Sequence, residues 1–214
     1  MGMKRIAVMV SGGGTNLQTL IDGCEKGEIP GEIVGVISSS GNAYALKRAK
    51  NHGIPAEAIP KKDFESMEAC QAARYEALAR LKPDLIVLAG YLGIVPEGTV
   101  AEYPNAIINT HPALIPSFCG KGYYGLRVHE SVLAYGCKVS GSTIHFVDAG
   151  TDTGPIIFQG VVPVMDEDTP QTLQERVMGV EHRLLPRAVR LFCEDRLHVE
   201  GRKVTVLPKE EHHG

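Results

Sequence analysis

The stretch DLIVLAG (84–90) is a short, nearly continuous apolar run, and KRIAVMV (4–10) and EIVGVIS (32–38) share its character. Strands that are apolar on both faces suit a sheet covered on both sides, whereas a half-exposed strand alternates with polar residues. Helical patterns fall between the runs: TNLQTLIDGCEKG (15–27), residues 43–52 ending at Gly53, and a long helix over 65–81. A short strand is expected near Pro55–Ile59. The alternation predicts an α/β fold with a mostly parallel central sheet and helices on both faces. Its ligand crevice should lie beyond the carboxyl ends of the strands.

The second half reads differently. AIINTHP is followed by a Gly-rich stretch, 113–126, and a short helix around Val128–Tyr135. KVSGSTIHFVDAG (138–150) and GPIIFQGVVPV (154–164) then follow each other as strands with no helix between, so an antiparallel extension of the sheet is expected. Thr169 and Pro170 read as the N-cap and first position of a helix. Leu173, Val177, Val180, Leu184, Ala188 and Leu191 form its apolar stripe, and Pro186 should kink or interrupt it. No linker composition appears. One domain is expected, with a nucleotide or phosphate half at 1–105, a catalytic half at 106–205 and a flexible tail at 206–214 that carries His212 and His213.

At 214 residues, folding should bury roughly 70% of the unfolded surface, enough for a core without disulfide or metal staples. Five cysteines with no C-x-x-C pair point to a reducing compartment and away from a disulfide framework or zinc site. The apolar N-terminal run is too short for a signal or a membrane span, so a cytoplasmic protein is expected. A formal charge of −3 with mixed signs disfavours nucleic acid as the main partner.

Four constellations carry chemistry. S-G-G-G-T-N (11–16) joins a strand to a helix, where free N–H groups can hold an anion. It lacks the Lys-Ser/Thr of a phosphate-binding P-loop, and Leu17 stands where a dinucleotide fingerprint needs its third Gly. A bare turn and a mononucleotide-like phosphate site remain the main readings. Asn109 and His111, two apart on a strand, project from one face at its carboxyl end. A neutral donor beside a proton-carrying ring suits an oxygen that gains charge, but a capped strand end fits the spacing as well. Asp148 and Asp152 follow His145 in a Gly-containing loop. Either acid beside His111 would favour its charged form, and both also suit plain turn positions. His145 itself reads as a satisfied core histidine. Cys119 in S-F-C-G-K-G would need His111 or His129 to activate it, and incidental cysteines are far commoner. No His or Asp pair has metal-ligand spacing, so no metal is expected.

Taken in order, VMVSGGGTNLQTLID, DLIVLAGYLGIV, INTHPALIP, VSGSTIHFVDAGTDTGPIIFQ and VMGVEHRLLP resemble the folate-dependent formyltransferase family. N-x-H-P-x-L-x-P joined to a downstream H-x-V-x-x-x-x-D-x-G-P is the specific part. The resemblance implies a Rossmann-like fold. It also implies transfer of formyl from 10-formyltetrahydrofolate to the glycyl amine of glycinamide ribonucleotide (5'-phosphoribosylglycinamide), a step of de novo purine biosynthesis. Asn109, His111 and Asp152 would be catalytic. Gly14, Thr15 and Asn16 would hold the substrate phosphate and Glu181 its ribose. Leu92, Gly93, Ile94 and Val95, with Asn109, would bind the folate, and the 147–152 loop would close over it. Ile115-Pro116 falls where the family can have a cis proline.

Departures from the pattern concern the folate and phosphate contacts. Gly93 and Met67 stand where a branch of the family has arginines, Met178 replaces a polar residue near the phosphate, and SFCGKGYYGLR is longer than its counterpart. The implied partners are two small molecules, with no nucleic acid and no membrane; a homodimer is left open. A tRNA formyltransferase would carry a further C-terminal domain and a basic surface, and a formyltetrahydrofolate hydrolase an N-terminal regulatory domain. Neither is expected here. A catalytically dead binding module would not need the Asn109, His111 and Asp152 set.

Overall fold

The computed structural model describes residues 2–209. Among the described residues nine strands form one sheet: β1 (Lys4–Val10), β2 (Gly31–Ser38), β3 (Ala56–Ala58), β4 (Leu85–Leu88), β5 (Ile107–His111), β6 (Val139–Phe146), β7 (Ile156–Pro163), β8 (Leu197–Glu200) and β9 (Lys203–Val206). Their spatial order is β3-β2-β1-β4-β5-β6-β7-β9-β8. Pairings from β3 through β5 are parallel, β5–β6 and β6–β7 are antiparallel, and β9 returns parallel to β7. The expected parallel half with an antiparallel extension is therefore present. The chain winds outward from β1 to β3 and then crosses back to β4 on the other side of β1. That reversal makes the crevice between the ends of β1 and β4 the natural ligand position.

The apolar runs become two cores, one on each face. Ile6, Val8 and Val10 of β1 pack with α1 (Thr15–Glu25) and α6 (Pro170–Cys193). Ala7 and Met9, pointing the other way, pack with α3 (Met67–Leu81). Successive residues of one strand thus enter opposite cores, which is why alternation is missing from the sequence. α2 (Tyr44–Asn51) flanks β3, and α5 (Leu126–Tyr135) packs on α6 around Val132, Val177 and Val180.

Three elements differ from expectation. α6 is not interrupted at Pro186 but runs unbroken from Pro170 to Cys193, opened by a Thr169–Thr172 capping box. Pro186 removes one intrahelical donor, and burial of Leu185, Ala188 and Val189 in the main core outweighs that loss. A short helix, α4 (Glu97–Glu102), and the β8–β9 hairpin were not foreseen. Of the expected tail, Val206 closes β9, and Leu207 is held by a backbone bond to Arg196 O (2.8 Å) and by Arg196 Nε donating back to its carbonyl (2.8 Å). Residues 210–214, with His212 and His213, lie outside the described residues.

β6 and β7 approach so closely at Gly141 that a Cβ there would lie 2.0 Å from Gly160 O and 2.8 Å from Leu114 Cδ2. The first of these neighbours is backbone and cannot swing aside. Gly141→Ala is expected to cost about 3 kcal/mol, at the upper end of ordinary overpacking. For a chain of this size that lowers the melting temperature by about 6–12 °C, which a calorimetric scan measures.

Candidate active site

The strand ends open onto a cleft of about 840 Å³, a size that holds a small organic ligand. Its walls come from the loop after β1, the loop after β4, the end of β5, the 120–125 segment, the 147–152 loop and the N-terminal half of α6.

The first wall is the Gly loop. Gly14 has φ +73°, and a Cβ on it would sit 2.6 Å from Ala45 Cβ, so only glycine fits. Arg48 Nε donates to Gly13 O (2.9 Å) and Ala45 N to Gly12 O (3.1 Å), bracing the loop from α2. Thr15 then opens α1, and Met178 of α6 lies against it, with Thr15 Oγ1 3.4 Å from the sulfur. Asn16 Nδ2 donates to Glu181 Oε2 at 2.8 Å, while Asn16 Oδ1 is buried with no partner among the described residues. Burial pushes the Glu181 carboxyl above its ordinary range, and the hydrogen bond from Asn16 opposes the shift. The four residues expected around the substrate, Gly14, Thr15, Asn16 and Glu181, therefore share one wall.

The second wall is β5 with its partner β6. Asn109 pairs across the strands with His145, and Asn109 Nδ2 lies 3.1 Å from His145 Nε2. His145 Nδ1 is 2.8 Å from Phe146 O, so that nitrogen carries the ring proton and donates it. Burial pushes the His145 pKa down and keeps the ring neutral, which leaves Nε2 to accept from Asn109. His145 is thus the satisfied core histidine expected, and it also aims the Asn109 amide. One amide proton is used in this contact, and the second is left for the cleft.

His111 Nε2 donates to Phe118 O at 2.8 Å, and Nδ1 faces Asp152 Oδ2 at 3.5 Å. The first distance is a good hydrogen bond and the second is too long for one. Both nitrogens nevertheless face oxygen acceptors. Asp152 has φ +58° and also accepts from Gly120 N at 2.9 Å. The two acids of the loop separate in role. Asp152 enters the site, whereas Asp148 accepts from Gly150 N and Thr153 Oγ1 within its own turn.

Phe118 and Gly120 belong to the long segment after Pro116, so its backbone touches both His111 and Asp152. Phe118 is itself fixed by edge-on contacts with the rings of Tyr123 and Tyr135, at 6.1 and 6.0 Å between centroids. The contacts to His111 and Asp152 use main-chain atoms, and no side-chain pattern in the sequence announces them. Cys119 donates its thiol to Pro116 O (3.3 Å), and burial pushes its pKa up. It is a protonated thiol whose neighbouring histidine faces elsewhere, not an activated nucleophile. The Ile115-Pro116 bond is cis.

The third wall is Leu92–Val95, which lines the cleft with Leu92 and Ile94 well exposed. Apolar side chains left open at a cleft mouth suit a flat organic ring. A side chain on Gly93 would meet Tyr91 Oη at 2.4 Å. Tyr91 takes that space and accepts from Arg74 Nη1 at 2.9 Å. Met67 is half-exposed at the start of α3 and is not among the residues lining the cleft.

An amide and an imidazole side by side at a parallel strand end, with an apolar wall beside them, form the centre of the cleft, and residues 4–189 match the formyl transferase family model. The chain belongs to that family. The phosphoribosylglycinamide formyltransferase of Haemophilus influenzae is 38% identical over 198 residues, covering 92% of this chain and 91% of the relative. The chloroplastic phosphoribosylglycinamide formyltransferase of Vigna unguiculata is 39% identical over 194 residues; the match covers 91% of this chain but only 62% of that longer relative. The crystal structure of glycinamide ribonucleotide transformylase 1 from Symbiobacterium toebii superposes with a TM-score of 0.90 at 45% identity, covering 96% of this chain and 95% of that one.

Proposed function

We propose that the protein transfers formyl from 10-formyltetrahydrofolate to the glycyl amine of glycinamide ribonucleotide. The observation that carries this reading is the Asn109, His111 and Asp152 arrangement, set between the Gly14–Asn16/Glu181 wall and the Leu92–Val95 wall. The names of the relatives reported above support it.

In this reading the glycyl nitrogen attacks the formyl carbon, and the carbonyl oxygen takes up negative charge. The free proton of Asn109 Nδ2 and the loosely held proton of His111 Nδ1 donate to that oxygen. Phe118 O keeps the other face of the ring in place. Asp152 takes the proton from the attacking amine, and as the adduct collapses it passes that proton to the departing folate nitrogen. No covalent enzyme intermediate is formed. Gly14, Thr15 and Asn16 bind the phosphate, and Glu181 the ribose. Leu92, Gly93, Ile94, Val95 and Asn109 receive the pterin under the 147–152 loop.

The reaction needs two small molecules and neither nucleic acid nor metal. A cytoplasmic setting belongs to the same proposal, supported by five cysteines that are all free thiols. Among the described residues no helix is long and apolar enough to cross a membrane. Mixing the enzyme with both substrates and following folate absorbance tests the reading. Donor consumption that depends on the amine is expected. Consumption without the amine identifies a hydrolase, and no turnover at all overturns the proposal.

A further inference from the structure

His129, on the first turns of α5, is 1% exposed, and neither of its ring nitrogens has a hydrogen-bond partner among the described residues. His145, equally buried, has both of its nitrogens engaged. A buried ring with an unpaired donor and an unpaired acceptor is costly to keep. His129 also lines the cleft, and it is close enough to His111 for the two rings to feel each other's charge. Burial holds its pKa down to about 4, so the ring is neutral near pH 7 and offers one donor and one acceptor.

The position narrows what it can meet. One turn further along α5, Val132 packs against Val177 and Val180 of α6, the helix that carries Glu181. His129 therefore lines the cleft near His111, on a helix that packs against the one carrying Glu181. A neutral ring has no charge to offer a phosphate. Whichever nitrogen faces the ligand can pair with an amide, whose carbonyl oxygen accepts and whose N–H donates.

Resting on the function proposed above, we infer that His129 is a substrate-binding residue that hydrogen-bonds the amide linking the glycyl group to the sugar of the amine substrate. Because this amide is unchanged in the reaction, the contact acts equally in the ground state and the transition state.

Steady-state kinetics and melting temperatures of wild type, His129→Leu and His129→Gln test the assignment. In His129→Leu the KM for the amine substrate should rise roughly 10- to 100-fold, with kcat and the KM for the formyl donor little changed. Its melting temperature should hold or rise, because an unpaired polar ring has been replaced by an apolar side chain. His129→Gln, which keeps a donor and an acceptor, should recover part of the affinity. An unchanged amine KM together with a lowered melting temperature would mark a structural histidine satisfied by water and overturn the inference. Equal shifts in both KM values would overturn it too. Absence of wild-type turnover would instead remove the functional reading, and this assignment with it.

Discussion

Replacing Asn109 with alanine should lower kcat by about 100- to 1,000-fold, the usual consequence of removing one well-placed oxyanion donor. The contact strengthens only as the formyl oxygen gains charge, so kcat and kcat/KM should fall together while the amine KM stays near its wild-type value. The substitution has a second effect. It strips His145 Nε2 of its partner at a position that is 1% exposed, at a cost of about 1–3 kcal/mol. The melting temperature should therefore drop by several degrees, and rates belong well below it, where the variant is folded. A kcat within about tenfold of wild type would show that Asn109 is a capped strand end and not an oxyanion donor.

The strands that build this site were legible because burial on both faces removes the need for alternation. β1, β2 and β4 stand in the sequence as bare apolar runs for that reason. The Asn109 and His111 pair could be placed on one face from strand geometry alone. Residue type and spacing could not tell Asp148 from Asp152, since both lie in the same Gly-containing loop; family resemblance picked Asp152, and it is Asp152 that turns toward His111. Glu181 meets Asn16 across 165 positions, a juxtaposition that no local pattern carries; it came from family resemblance. The role of His145 was half read, because a core histidine and a histidine that aims an amide have the same apolar neighbours in sequence. The links from Phe118 and Gly120 to His111 and Asp152 run through main-chain atoms and leave no mark in residue type. The β8–β9 hairpin was readable and missed: LHVE and KVTV flank Gly201-Arg202, a two-residue turn with Gly201 at φ +58°.

Asp152→Asn gives the second large effect and separates two roles the acid could have. Asp152 accepts the Gly120 amide and thereby ties down the segment after Pro116; it also faces His111 Nδ1 with its charge. Asparagine keeps an oxygen for Gly120 and tolerates the left-handed backbone, φ +58° at this position, better than most residues. The substitution therefore preserves the loop and removes the charge. If Asp152 takes the amine proton and holds His111 in place, kcat should fall by about 100- to 10,000-fold with the melting temperature nearly unchanged. If its work is only to order the segment, asparagine should retain most of the rate and alanine should lose it. Asp148→Asn is the comparison, because the hydrogen bonds Asp148 accepts come from its own turn, and it should lower kcat far less. A rate for Asp152→Asn close to that of Asp148→Asn would remove Asp152 from the chemistry and leave it a loop anchor.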